Sequence, residues 1–256
     1  MSFTSQGPFE VRCEWGPQGV AALEGCRTFI VVDVLSFSTC VAVAAARGVE
    51  VAPCRSMDRE AAELARRLGA TVAGPRGGGY SLSPASLLSA PRGMRLVLAS
   101  PNGATVSLEA GARGHVLAGC LRNRSAVAKR AASLGGPIGI VPAGERWSDG
   151  TLRPCYEDLL GAGAIAAKLT GSRSPEAAAA VAMFEAASDR LAASLMSCSS
   201  GCELVERGFP EDVRMAAELD ADAVAPELND GRYVQVLGAE AALSPGSPQN
   251  PSSTSW

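Results

Sequence analysis

Apolar and polar residues fall in alternating blocks along most of this chain, and the blocks read as strands and helices taking turns. The clearest strand signal is Thr28-Phe29-Ile30-Val31-Val32, which leads directly into Asp33. Five of the six residues before Asp33 are apolar or β-branched. They lack the period-two alternation of a half-exposed strand, as expected for a strand covered on both faces. Ser36, Ser38 and Thr39 follow as N-cap candidates, and the Ala-rich run Val41 to Arg47 then predicts a helix ending before Gly48. Asp33 therefore belongs at the carboxyl end of a central strand, beside a helix N-terminus, where open α/β sheets bind ligands.

The same grammar extends in both directions. Phe9 to Trp15 predicts an earlier strand and Pro17 to Gly25 a short helix. Val49 to Cys54 predicts a strand, followed by a helix through Leu68 capped by Ser56, with Asp58 and Glu60 in its first turn. Ala70 to Ala73 is a further strand that runs into the glycine-rich loop Gly74 to Pro84. Strands at Arg95 to Ser100, Val116 to Cys120 and Pro137 to Val141 each end in small or polar residues: Pro101-Asn102-Gly103, Leu121-Arg122-Asn123 and Pro142-Ala143-Gly144-Glu145. Strand ends of this kind leave backbone N–H groups along one edge of the sheet, which suits anions.

Beyond the polar loop Glu145 to Pro154 the pattern turns helical. A helix begins at Tyr156-Glu157-Asp158 and runs through Leu169, a long one spans Pro175 to Leu195 with a break near Ser188, and two more are separated at Gly208. Strands at Ala223 to Pro226 and Tyr233 to Leu237 flank the turn Asn229-Asp230-Gly231 and are placed as antiparallel edge strands. Ser244 to Trp256, built of Pro, Ser, Gln and Asn, predicts a disordered tail, so that 1–243 form a single domain. The order of elements predicts an α/β fold with three α/β/α layers on a mostly parallel, mixed central sheet.

Composition narrows the function. A chain of 256 residues can bury a full core without staples. Its net charge of −3 and scattered arginines argue against a nucleic-acid partner. No apolar run approaches membrane-spanning length and the start has no leader pattern, so a cytoplasmic, membrane-free protein is expected. The eight cysteines are dispersed and read as buried thiols, and the one close pair, Cys198 and Cys202, lacks the further ligands zinc needs. His115 is the only histidine, which removes hydrolases built on a Ser-His-Asp or Cys-His set. The glycine-rich loop matches neither a dinucleotide fingerprint nor a P-loop. Whether copies of the chain associate into a homo-oligomer is left open.

What remains is an edge bearing Asp33, Ser36, Ser38, Thr39, Arg76, Asn102, Arg122, Asn123, Glu145, Glu157 and Asp158. Carboxylates without histidine or paired thiolates suit a hard cation, and Mg²⁺ characteristically bridges one or two carboxylates to a phosphate. Arginine, amides and helix N-termini suit the anion. The combination points to Mg²⁺-assisted chemistry at a phosphate ester, although no Asp-x-Asp-x-Thr follows the strand and no cysteine has an arginine six positions on.

Asp33-Val34-Leu35-x-x-Ser38-Thr39, Ser100-Pro101-Asn102-Gly103-Ala104-Thr105, Gly119 to Val127, Ala143-Gly144, Glu157-Asp158 with Ala162-Gly163, and Gly208 to Val213 resemble, in order and spacing, the successive motifs of the 2-phosphosulfolactate phosphatase family. The resemblance implies a three-layer fold and Mg²⁺-dependent hydrolysis of 2-phosphosulfolactate to sulfolactate, a step towards coenzyme M. It implies that Asp33, Glu157 and Asp158 hold the metal, that Asp33, Arg76 and Asn102 are catalytic, and that Ser36, Ser38, Thr39, Gly103, Arg122 and Asn123 bind a small phosphorylated, sulfonated substrate. Whether Asp33 is a ligand or a nucleophile stays open. The chain departs from the family pattern at Ser36, where an arginine is usual, and at Pro75, where a glutamate is usual. Those departures carry the alternative, a non-catalytic protein that binds or senses a small anion on the same fold.

Overall fold

The computed structural model describes residues 2–235, and the tail expected over 244–256 lies outside them. The strands are β1 (Val11–Cys13), β2 (Thr28–Val32), β3 (Glu50–Cys54), β4 (Thr71–Val72), β5 (Arg95–Ala99), β6 (His115–Gly119), β7 (Ile138–Pro142), β8 (Glu145–Arg146), β9 (Leu152–Arg153), β10 (Pro226–Asn229) and β11 (Arg232–Gln235). The helices are α1 (Gly16–Ala22), α2 (Phe37–Ala46), α3 (Arg59–Leu68), α4 (Pro84–Leu87), α5 (Gly103–Gly111), α6 (Arg124–Leu134), α7 (Tyr156–Ala166), α8 (Pro175–Ala187), α9 (Leu191–Ser197), α10 (Ser199–Glu206) and α11 (Pro210–Ala216). The expected break near Ser188 is a 3-10 turn, Ser188–Arg190.

Nine strands form one sheet in the order β1-β7-β2-β6-β10-β11-β3-β5-β4. β1, β7, β2 and β6 pair in parallel, as do β3, β5 and β4. The hairpin β10–β11 runs antiparallel to β6 on one side and to β3 on the other. This corrects the expected edge position. The hairpin's polar residues read as an edge, but Glu227 and Tyr233 find partners inside the sheet. Glu227, 3% exposed, accepts from Arg130 Nη2 at 2.6 Å and lies 2.9 Å from His115 Nδ1. Fully buried Tyr233 donates to Ser107 Oγ at 2.7 Å.

The pleat of β2 divides the core. Ile30 and Val32 face a cluster with Leu117 and side chains of α6, α7 and α8, while Phe29 and Val31 face the opposite cluster with α1, α2 and α5. A third cluster joins α3 to Ala52, Cys54 and Val97 at the far end of the sheet. A strand with both faces covered must be apolar at every position, which is why β2 shows no alternation. Each fully buried side chain such as Phe29 or Leu117 contributes about 1.5–3 kcal/mol by leaving water.

Two local readings change. The cap of α3 is Asp58, which accepts the Glu60 N–H at 2.8 Å, while Ser56 donates its hydroxyl to that carboxylate at 2.6 Å. The polar loop after β7 contains the small antiparallel pair β8–β9, which brings Glu145 opposite Arg153.

Candidate active site

Asp33 follows directly on β2, 7% exposed, and its carboxylate closes two helices at once. Oδ1 accepts the N–H of Phe37, the first residue of α2, at 3.0 Å. Oδ2 accepts the N–H of Gly103, the first residue of α5, also at 3.0 Å. Helix starts leave such donors unsatisfied, and a carboxylate there also meets the favourable end of the helix dipole. Gly103 is required by the close approach, since a Cβ at that position would lie 2.5 Å from Asp33 Oδ2 and 2.5 Å from the Phe37 ring. The Ser36 side chain makes no cap to α2. Its hydroxyl instead accepts from Arg76 Nη2 at 2.9 Å.

Asp158 reaches the same turn from the first turn of α7. Its Oδ1 accepts the Val34 N–H at 2.8 Å and its Oδ2 the Gly144 N–H at 2.9 Å. Asp33, Glu157, Asp158, Glu145, Asn102 and Ser36 together line a cavity of about 80 Å³. Asn102 is held in its wall by donating Nδ2 to Glu145 Oε1 at 2.6 Å. Ser100, which donates to Asp33 Oδ2 at 3.5 Å, also lines the cavity, with Cys155 and Ser200. Ser100 ends the strand motif that the sequence marks. Cys155 and Ser200 carry no sequence signal, because a thiol and a hydroxyl in helix starts read as ordinary caps.

The remaining expected residues sit behind this wall rather than in it. Ser38 accepts the Asp33 N–H at 3.1 Å and donates to Val31 O at 2.9 Å, and Thr39 donates to Val34 O at 2.7 Å. Both fasten the turn after β2. Asn123 accepts the Cys120 N–H at 2.9 Å and donates to Ala118 O at 3.1 Å, so its amide is spent on the turn after β6. Arg122 donates Nε to Asp222 at 2.6 Å, bonds Glu218, and donates Nη1 to Met215 O at 2.9 Å. Its guanidinium ties down the segment after α11 and is not an anion clamp. Arg76 lies between Asp212 and Ser36, over the Phe209 ring, one hydroxyl removed from the cavity. It positions Ser36 and is not itself in the wall.

The cavity is acidic, and Asp33, Glu157 and Asp158 in its wall are buried. Burial pushes Asp33 up to about 6, against the lowering by the N–H groups of Phe37 and Gly103, and the charges of Glu145 and Glu157 add to the rise. Asp158 is raised well above the ordinary carboxylate range, first by burial and then by the charges of Asp33 and Glu157. Neither a lysine nor an arginine lines the cavity to balance these acids. An oxygen-rich, surplus-negative donor set fits a hard divalent cation. Among the described residues, no group of three or more Asp, Glu, His or Cys side chains is arranged to chelate an ion on its own. Any cation held there would complete its shell with water or ligand oxygens. Among the described residues no helix is long and apolar enough to cross a membrane.

Comparison with known proteins bears on the family. A family model described as 2-phosphosulpholactate phosphatase matches residues 17–231. A protein of Methanothermobacter thermautotrophicus named 2-phosphosulfolactate phosphatase is 33% identical over 217 residues, covering 82% of this chain and 90% of the relative. Proteins named probable 2-phosphosulfolactate phosphatase are 31% identical over 218 residues in Carboxydothermus hydrogenoformans, covering 81% of this chain and 90% of the relative, and 30% identical over 244 residues in Thermosynechococcus vestitus, covering 88% and 94%.

Proposed function

The chain belongs to the 2-phosphosulpholactate phosphatase family, and from that premise we propose that it is a Mg²⁺-dependent phosphatase releasing phosphate from 2-phosphosulfolactate or a close relative of it. The observation that carries the reading is the convergence of Asp33, Glu145, Glu157 and Asp158 on one small cavity without a cationic side chain in its wall. So many acids at one buried point repel one another, and repulsion of this kind is retained where a cation is to be bound.

Asp33, Glu157 and Asp158 would supply part of the ion's shell, with water and substrate oxygens supplying the rest, since the three are not arranged to chelate it alone. Bound there, Mg²⁺ neutralises phosphoryl charge and makes a bound water more acidic. The chain's own residues do the positioning. Asp158 and Asp33 hold Val34 and Phe37 by their N–H groups, which fixes the turn that carries Ser36 to the cavity. Arg76 donates to Ser36 and sets the direction of that hydroxyl. Asn102, fixed by Glu145, presents its amide to the substrate side. Hydrolysis of this substrate would leave sulfolactate, which suits a step towards coenzyme M.

The test is phosphate release from 2-phosphosulfolactate with Mg²⁺ and with EDTA. Metal-dependent release supports the reading. Release equal in both conditions removes the metal from it, and no release with retained phosphate binding turns the reading into the anion-binding alternative.

A further inference from the structure

Two larger clefts open beside the acidic cavity, and they differ in charge. One, of about 600 Å³, shares Glu157 with it and is lined by Arg153, Arg190, Tyr156 and the hydroxyl residues Ser194, Ser197 and Ser199. The other, of about 730 Å³, shares Asn102 and is lined by Trp15, Leu152, Arg146, Glu14 and Asp149. Apart from the shared Glu157, the first has two guanidinium groups and no carboxylate. The second sets one guanidinium against two carboxylates.

The cavity at Asp33 holds the equivalent of two or three waters. On the phosphatase reading a phosphoryl group would fill it, and the carbon skeleton of the ester would lie in a neighbouring cleft. The other arginines around it are committed or countered: Arg76 by Asp212, Arg122 by Asp222 and Glu218, and Arg146, which donates to Gly150 O at 3.2 Å, by Glu14 and Asp149 in its own cleft. Arg153 and Arg190 are not. Arg153 lies over the Trp147 ring at 5.7 Å and reaches Ser200 Oγ at 3.4 Å, with no carboxylate partner among the described residues. Arg190 has no ion-pair partner among the described residues. An uncommitted pair of guanidinium groups beside hydroxyls is a donor set for a carboxylate or sulfonate.

We propose that Arg153 and Arg190 take a second anionic group of the substrate, a carboxylate or sulfonate a few bonds from the phosphorus, and so make the enzyme prefer polyanionic esters over simple ones. The inference rests on the phosphatase reading for the position of the phosphoryl group. Glu157 borders both spaces, so the proposed subsite adjoins the position assigned to the phosphoryl group.

The experiment compares kcat/KM for 2-phosphosulfolactate, 2-phospholactate and ethyl phosphate in the wild type and in Arg153→Gln, Arg190→Gln and Arg146→Gln, the last lying in the opposite cleft. The preference for 2-phosphosulfolactate over ethyl phosphate is expected to fall roughly tenfold in Arg153→Gln and several-fold in the more exposed Arg190→Gln, mostly through KM. Arg190→Lys retains most of the preference. A parallel fall for 2-phospholactate identifies the carboxylate as the group held, and a fall confined to 2-phosphosulfolactate identifies the sulfonate. A preference unchanged in both arginine variants, or lost in Arg146→Gln instead, overturns the assignment. Calorimetric binding of sulfolactate, which lacks the phosphate, gives a readout independent of turnover. Binding weakened by Arg153→Gln in a wild type that releases no phosphate upholds the cleft and removes the phosphatase reading, and binding unaffected in such a protein removes both.

Discussion

Asp33 and Asp158 hold one short turn between them: Asp158 accepts the N–H of Val34 at 2.8 Å, and Asp33 accepts the N–H of Phe37 at 3.0 Å. One acid ends a central strand and the other begins a helix far along the chain, so the turn carrying Ser36 is fixed by two buried carboxylates with like charge. Each receives two backbone N–H groups, yet burial still raises both above the ordinary range, helped by the charges of Glu145 and Glu157 at Asp33 and of Asp33 and Glu157 at Asp158. Such an arrangement is costly without a counter-charge, and that cost is measurable.

The first prediction concerns pH. Asp33 titrates near 6 when folded against 3.8 ordinarily, so the folded protein keeps a proton that the unfolded chain has already lost. The group's contribution to stability therefore falls as pH rises through that window, with the full penalty present above it. In EDTA, lowering the pH from 7 to 5 is expected to increase unfolding free energy by about 1 kcal/mol through Asp33, with Asp158 acting in the same direction. Denaturant titrations at the two pH values check this, and millimolar Mg²⁺ should stabilise more at pH 7 than at pH 5. His115 is the chain's only histidine, so a His115→Gln background assigns the trend to the carboxylates. Stability that falls steadily from pH 7 to 5 in that background contradicts the electrostatics described above.

Gly103→Ala tests the contact between α5 and Asp33. The new methyl would overlap both the Asp33 carboxylate and the buried Phe37 ring, and neither can move without breaking its own backbone contacts. Overpacking and a weakened hydrogen bond together should cost about 2–4 kcal/mol. The melting temperature should drop accordingly, and phosphate release should fall with it even well below the transition. A variant as stable and active as the wild type would mean that Gly103 and Asp33 are not in this contact.

Much of this was legible in the chain itself, and the limits have a physical cause. β2 and Asp33 stand out because a strand covered on both faces is a continuous apolar run, so a charge at its end is conspicuous. Strand ends at Asn102 and Gly144 were readable from turn chemistry. What a single strand cannot reveal is which way a polar side chain is spent. Arg122 looked available for an anion, but its partners Glu218 and Asp222 lie about a hundred residues on. The hairpin β10–β11 carries enough polar residues to read as an edge, but Glu227 pairs with Arg130 and His115 and Tyr233 bonds Ser107 in the middle of the sheet.

Glu157→Gln separates repulsion from function. Its charge helps to raise both Asp33 and Asp158, so neutralising it should lower both towards their ordinary range and shrink the acid stabilisation described above. If Glu157 helps to hold the cation, phosphate release falls at least a hundredfold while the apo protein stays as stable or becomes more so. Circular dichroism melts and a Mg²⁺-dependent phosphate assay on the same preparation give both numbers. Full activity at ordinary Mg²⁺ concentration would take Glu157 out of the site.

Arg76 provides the last prediction, because its two neighbours separate support from chemistry. Asp212 is 1% exposed, accepts the Ser83 hydroxyl at 2.6 Å and the Ala85 N–H at 3.3 Å, and is paired with Arg76. Arg76→Met strands that carboxylate without its counter-charge, and breaking a buried pair on one side typically costs 3–5 kcal/mol. Asp212→Asn in the same chain removes the stranded charge, so the double variant should regain most of the stability. It should not regain activity, since the guanidinium that donates to Ser36 is still missing. Equilibrium unfolding and phosphate release on the two single variants and the double variant complete the cycle. If activity returns together with stability, Arg76 serves only to hold the glycine-rich loop to α11, and Ser36 needs no donor from it.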